Sequence, residues 1–487
     1  MNIVQQKITT LVCGGIIAAM TMGAAAQDKV TQDDKVAQDE KGKPAEARLP
    51  MVVIDKNPYP STYKPFPSVT VMIKNATVLT GTGEQLNHAS VLMSHGKIVA
   101  VGTEIKTPYG AQIIDGTGKW VTPGIIDVHS HLGVYASPHQ KSLSDGNEAT
   151  RPVTADVWAE HSLWPQDPGF SRAIAGGVTT IQILPGSANL IGGRGVTIKN
   201  VPSLTAEGMK FPGAPYSLKM ACGENPKRVY GEKGGPATRM ANMAGYRKAW
   251  IKAKEYKDKW EAYNRDYKAG KDVIAPMQDL ELDTLMGVLN GEILVHNHCY
   301  RADEMVSMIN MAHEFHYHIS AFHHAVESYK IADILAKENI CSAMWADWWG
   351  FKLEAFDGID ENIPMVAAAK ACAIVHSDDP NGIQRLNQEA AKAWAAGRRV
   401  GLDFTKGQAF TWLTLNAAKA LGISDKTGSL EKGKMADVVI WSGDPFSVYS
   451  LSEKVFIDGA LMYDRNDPKT YWQSDFELGQ NKKGAHQ

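Results

Sequence analysis

Between Lys119 and Gly133 the chain reads KWVTPGIIDVHSHLG, and its two histidines have a spacing that suggests chemistry. His129 and His131 end a β-rich apolar run. Two residues apart on a strand, their imidazoles leave the same face. Two imidazoles side by side can bind one divalent ion, and Asp127 shares their face as a group that could orient them. Similar endings recur downstream: His296 and His298 in ILVHNHCYRADE, His323 and His324 in ISAFHHAVESY, and His376, Asp378 and Asp379 in AIVHSDDPNG. Lys219 and Glu224 stand in SLKMACGEN. Each alone is as well explained by a hydrogen-bonded structural residue. Together, at the ends of several apolar runs, they call for a metal centre on a shared rim.

The elements that must position these groups alternate between strand-like and helix-like stretches, which points to a parallel α/β arrangement. Strand candidates are Val121–Ser130, Val178–Leu184, Gly195–Lys199, Tyr216–Cys222, Ile293–His298, His318–His324, Ile340–Ala343 and Ala371–His376. That count fits a closed (β/α)8 TIM barrel over 121–430, whose active site would lie at the C-terminal strand ends. Alternating apolar and polar residues between glycine turns at 68–120, and again at 431–465, predict a small β-sandwich domain built from both chain ends. Within the barrel region, 231–270 reads as a helical insertion. Met240, Met243, Tyr246, Trp250, Ala253, Tyr256, Trp260, Tyr263 and Tyr267 follow three- and four-residue steps, one apolar stripe that suits a helix packed on the barrel better than a lid or a dimer contact.

At the N-terminus, one lysine, an apolar stretch and Ala24-Ala25-Ala26 make residues 1–26 a secretory signal, so an exported, periplasmic or secreted protein is expected. Residues 27–67 are polar at first and read as a disordered linker, and 466–487 as a tail. No later stretch approaches a membrane span. The net charge of −2 and the lack of a basic stripe give no sign of nucleic acid. Cys222, Cys299, Cys341 and Cys372 could form two disulfides in an exported chain, but a core this large needs no staples, and free buried thiols are expected.

With these residues in place, the chain resembles the amidohydrolase superfamily of metal-dependent hydrolases, in its imidazolonepropionase-related and prolidase-like branch. The resemblance runs from about Val69 to Asp464 and rests on IIDVHSHLG, on AGGVTTIQILPGSANLIGGRG and on NAAKALGISDKTGSLEKGKMADVVIWSGDPF. It implies one or two divalent ions, most naturally zinc. His129 and His131 match the ligands of the first barrel strand, His296 that of the fifth and His324 that of the sixth. Asp378 matches the aspartate of the eighth strand, a metal ligand that serves as general base. The bridging position falls to Lys219, carboxylated, or to Glu224 as the alternative. His298 and His376 would then support ligands or touch substrate, and His323 would be structural.

The chemistry expected from that set is hydrolysis of a C–N bond in a small amide, a dipeptide or a cyclic amide. Arg301, Tyr230, Arg228 and Arg239 could hold a substrate carboxylate. Asn189 and Arg194 in the glycine-rich loop could bind substrate or only shape the loop. Trp345, Trp348, Trp349 and Phe351 could line a pocket or pack under a long loop. The alternatives are an imidazolone-like ring hydrolase or deaminase and, from another class, a catalytically silent binding or scaffold protein. Homo-oligomer formation stays open.

Overall fold

Five strands open the described chain: β1 (Val71–Leu79), β2 (Gln85–Ser94), β3 (Lys97–Gly102), β4 (Gln112–Asp115) and β5 (Trp120–Pro123). This computed structural model describes residues 49–472; the expected signal 1–26, residues 27–48 and residues 473–487 lie outside them. Gly124 separates β5 from β6 (Ile125–Ser130), and the two strands belong to different sheets. A Cβ at Gly124 would lie 2.1 Å from Thr179 Oγ1, so only glycine lets the chain cross there. The apolar run expected as one strand is therefore two.

From β6 the barrel continues through β7 (Val178–Ile183), β8 (Ile191–Lys199), β9 (Ser217–Ala221), β10 (Leu294–Cys299), β11 (Ile319–His324), β12 (Cys341–Met344) and β13 (Cys372–Val375). Each pairs with the next in chain order, giving an eight-stranded sheet that nearly closes. Across the seam, Asp378 N–H donates to the His129 carbonyl at 3.0 Å. Asp127 fastens the same seam: its buried carboxylate accepts Ser377 N–H at 3.2 Å and the Ser377 hydroxyl. It meets His129 only through the backbone N–H, at 3.1 Å, and so does not orient the imidazoles as expected.

β8 runs antiparallel to both neighbours, where an all-parallel barrel was expected. The reason is the connection. Only residues 184–190 separate β7 from β8, and a parallel crossover needs about a dozen residues or more. A hairpin is what that length permits.

The chain returns to the first sheet through β14 (Val438–Trp441), β15 (Ser452–Ile457) and β16 (Ala460–Asp464), in the order β16-β15-β14-β5-β1-β2-β3 with β4 beside β1. Both chain ends thus build one continuous sheet with its own core, including Val71, Ile73, Val91, Val438 and Phe456. A β-sandwich was expected from the sequence; the strands pair as that one sheet. Lys199, at the end of β8, ties it to the barrel: its buried ammonium lies 3.0 Å from Asp437 and 3.1 Å from Asp458.

Two expectations fail here. Cys222 pairs with Cys299 and Cys341 with Cys372, so the four thiols are two disulfides. Neighbouring strands bring their Cα atoms to 5.2 and 4.4 Å, inside the span a disulfide bridges, and only the strand order reveals this. Residues 51–67 have no regular secondary structure yet are not a free linker. Lys210 Nζ donates to the Tyr59 carbonyl at 2.6 Å, and the Tyr63 hydroxyl donates to Asp458. The insertion forms a 30-residue helix, Arg239–Lys268, burying Tyr246, Trp250, Tyr256, Trp260 and Tyr263 along one side. Among the described residues no helix is long and apolar enough to cross a membrane.

Candidate active site

Strand ends β6, β9, β10 and β11 and the turn after β13 bring six of the singled-out groups to one rim. His131 Nδ1 lies 2.8 Å from the Leu184 carbonyl, an acceptor, so that nitrogen carries the ring proton and Nε2 keeps a lone pair. That Nε2 lies 3.3 Å from His129 Nε2 and 3.3 Å from Asp378 Oδ1, and Asp378 Oδ1 lies 3.5 Å from His129 Nε2. Lys219 Nζ stands 3.4 Å from His129 Nε2 and donates to the Pro185 carbonyl at 3.0 Å. On the other side, His324 Nδ1 is 3.8 Å from Asp378 Oδ2. The buried Nδ1 atoms of His298 and His324 have no hydrogen-bond partner. Lone pairs turned on one another and orphaned imidazole nitrogens are unfavourable in a dry site, and a cation relieves both. The donor set, imidazole nitrogens with a carboxylate, suits a divalent metal of the zinc type.

Burial sets the protonation of these groups. It pushes His129, His298 and His324 well below the ordinary imidazole range, keeping the neutral, metal-binding form. It also brings the Lys219 ammonium down to about 7. Burial alone would raise Asp378, but the neighbouring His131, His376 and Lys219 together outweigh this and hold the carboxyl below its usual value. His324 and Asp378 sit at φ +67° and +49°, a region non-glycine residues rarely adopt. At His324 this turn presents the ring to the cavity, against the Trp345 ring at 4.3 Å between centroids.

The cluster lies at a cavity of about 610 Å³, bordered by His131, Tyr135, His298, Tyr300, His324 and Asp378 and, farther out, by Glu224, Arg228, Phe351 and Lys352. His298, not His296, occupies the rim position on β10. The two share a strand face, but His296 is one layer deeper, with Nδ1 2.8 Å from His323 and Nε2 3.2 Å from the Ala420 carbonyl. The spacing of HNH shows a common face and cannot show depth. Glu224 is not part of the cluster: it borders the cavity with Lys352 Nζ at 3.4 Å.

Five expected substrate contacts are elsewhere. Arg301 pairs with Asp303. Asn189 donates to the Glu148 and Arg151 carbonyls, bracing a loop. Arg194 is buried over the Trp158 ring with Nε on Thr284. Tyr230 is buried outside the cavity wall, and Arg239 pairs with Asp303 and Glu304. Arg228, by contrast, is at the cavity mouth, exposed and without an ion pair among the described residues. His376 is buried and accepts the His324 backbone N–H at 3.3 Å. Lys352 was not anticipated: it lies over the Tyr300 ring at 4.0 Å, in a stretch read only for its aromatics.

A barrel with residues of metal-binding type at its C-terminal rim is a known setting for active sites, and the comparisons place the chain in a family. Residues 120–475 match the amidohydrolase family. An amidohydrolase of Hapsidospora irregularis is 33% identical over 429 residues, 81% of this chain; the chain spans only 43% of that relative's length. A crystal structure of an amidohydrolase from Thermotoga maritima superposes with a TM-score of 0.74 at 39% identity, covering 81% of this chain and 100% of that one. A prolidase solved with N-methylphosphonate-L-proline shares the fold at a TM-score of 0.50 and 16% identity, over 82% of this chain and 100% of that one. The chain belongs to the amidohydrolase family.

Proposed function

We propose that the protein is an exported zinc-type hydrolase that cleaves the amide bond of a small substrate, a dipeptide or a cyclic amide, with Asp378 as general base. One observation carries this reading: His129, His131, Lys219, His298, His324 and Asp378 gather at one cavity on the barrel rim. A divalent ion bound there would bring water's pKa to about 7 and polarise the substrate carbonyl.

The chain's own residues do the rest. Asp378 can reach the ligand nitrogens with one oxygen and turn the other to the cavity, the geometry for taking a proton from water and handing it to the departing nitrogen. Lys219 is preferred over Glu224 for the bridging place. With its pKa near 7, a substantial share is neutral amine, the form that adds carbon dioxide to become a carbamate. Arg228 and Lys352 offer positive charge to a substrate carboxylate, and Tyr300 and Phe351 offer apolar faces. Two disulfides favour an oxidising compartment, in keeping with export.

The test is a panel of dipeptides, N-acyl amino acids and cyclic amides, presented to zinc-, manganese- and cobalt-loaded protein. Amide cleavage that disappears in Asp378→Asn is the expected result. Ammonia release from ring substrates without amide cleavage would favour a deaminase, and stoichiometric metal with no turnover on any class would favour a binding protein.

A further inference from the structure

Beneath the rim, three buried histidines form a hydrogen-bonded chain that ends on the backbone. His129 Nδ1 lies 2.9 Å from His323 Nδ1, His323 Nε2 lies 2.8 Å from His296 Nδ1, and His296 Nε2 lies 3.2 Å from the Ala420 carbonyl. All three rings are buried, at 0% exposure. Among the described residues no carboxylate pairs with His323 or His296, so each ring is neutral and carries one proton.

The protons can then be placed one after another. A carbonyl only accepts, so His296 Nε2 must be protonated, and its Nδ1 is left as an acceptor. His323 must therefore donate from Nε2, which leaves its Nδ1 bare. The only ring that can fill that contact is His129, donating from Nδ1. Its Nε2 is then a lone pair, and that atom is the one facing His131, Asp378 and Lys219. We propose that the His296–His323 pair is a tautomer relay, anchored on the Ala420 carbonyl, that presets His129 to offer Nε2 to a metal ion. His323 and His296 are positioning residues: neither reaches the rim, and their effect passes through His129. The inference rests on His129 being a metal ligand, but it makes no use of the substrate.

Two measurements test it. In metal-stripped protein with ¹⁵N-labelled histidine, NMR should show His129 protonated on Nδ1, and His323 and His296 protonated on Nε2. The opposite tautomer at His129 or His323 overturns the proposal, whatever any variant does. The second measurement is zinc affinity by chelator competition. His323→Leu breaks the relay and should weaken zinc binding by about 10- to 100-fold, the usual effect of losing a partner behind a ligand. His323→Gln keeps an oxygen to accept from His129 and an amide N–H to donate to His296, and should restore most of that loss. Equal zinc affinity in wild type and His323→Leu, or a loss in His323→Gln as large as in His323→Leu, refutes the relay. Hydrolysis is not read in either measurement, so a wrong substrate reading leaves the outcome intact.

Discussion

Replacing Lys199 by methionine should destabilise the protein by about 3–5 kcal/mol, the cost of removing one partner from a buried charge network. The lysine is wholly buried and bonds both oxygens of Asp437 at 3.0 and 3.1 Å and Asp458 at 3.1 Å. At an effective dielectric of about 20, a unit pair near 3 Å attracts by roughly 5 kcal/mol, most of it offset by lost hydration. Methionine leaves that hydration cost in place for two carboxylates that now face each other. The upper half of the range is therefore expected. A pH signature accompanies it. Burial, and then the charge of Asp437, already hold Asp458 above its usual pKa, and loss of Lys199 removes a lowering influence. A carboxyl whose folded pKa is raised stabilises the fold at low pH and loses that contribution as pH rises through the folded value. The deficit of Lys199→Met relative to wild type should accordingly be smaller at pH 5 than at pH 8. Denaturant unfolding followed by tryptophan fluorescence, on protein with equal metal content, reads both effects. A loss under about 1 kcal/mol at unchanged m-value, or a deficit that grows on acidification, would refute the reasoning.

Other outcomes follow from the site. Asp378→Asn should keep the fold and much of the metal while turnover falls by about 10²- to 10⁴-fold on whichever amide is cleaved; near-normal turnover would place the base elsewhere. Lys219→Ala should lose metal by elemental analysis, whereas Glu224→Ala, which breaks only the contact with Lys352, should keep it. Thiol titration of the denatured, unreduced protein should detect none of Cys222, Cys299, Cys341 and Cys372. Replacing the Cys222–Cys299 pair by serines, across a separation of 77 residues, should cost about 4–5 kcal/mol in the chain-entropy estimate.

The barrel was legible in the sequence because buried strands write themselves as apolar runs, and the clustering of histidines and Asp378 on one rim because they stand where those runs stop. What stayed hidden depended on contacts between strands. HNH revealed that His296 and His298 share a face, but the layer each occupies is fixed by β9 and β11 beside them. The cysteines looked like buried thiols because their partners lie 77 and 31 residues away. Arg194 and Asn189 attracted attention as polar residues in a glycine-rich loop, yet an aromatic platform and three acceptors hold them in the scaffold. Lys352 escaped notice since a single lysine among tryptophans has no pattern to mark it. The reversed strand is hinted at in the sequence by the short gap, 185–194, between two strand candidates, below the length a parallel crossover needs.

That reversal makes the β7–β8 hairpin a gauge for the histidine-rich rim. Its turn returns along the rim, so two consecutive carbonyls, Leu184 and Pro185, aim at His131 and Lys219. Neither side chain's orientation is a private matter of its own strand; both are set against one peptide edge. A loop elsewhere on the rim can lengthen at little cost, but one residue added or removed between Ile183 and Ile191 would shift both acceptors together. Changes to the cavity lining are therefore better borne by the loop after β12, which carries Phe351 and Lys352, than by the hairpin that holds the measure.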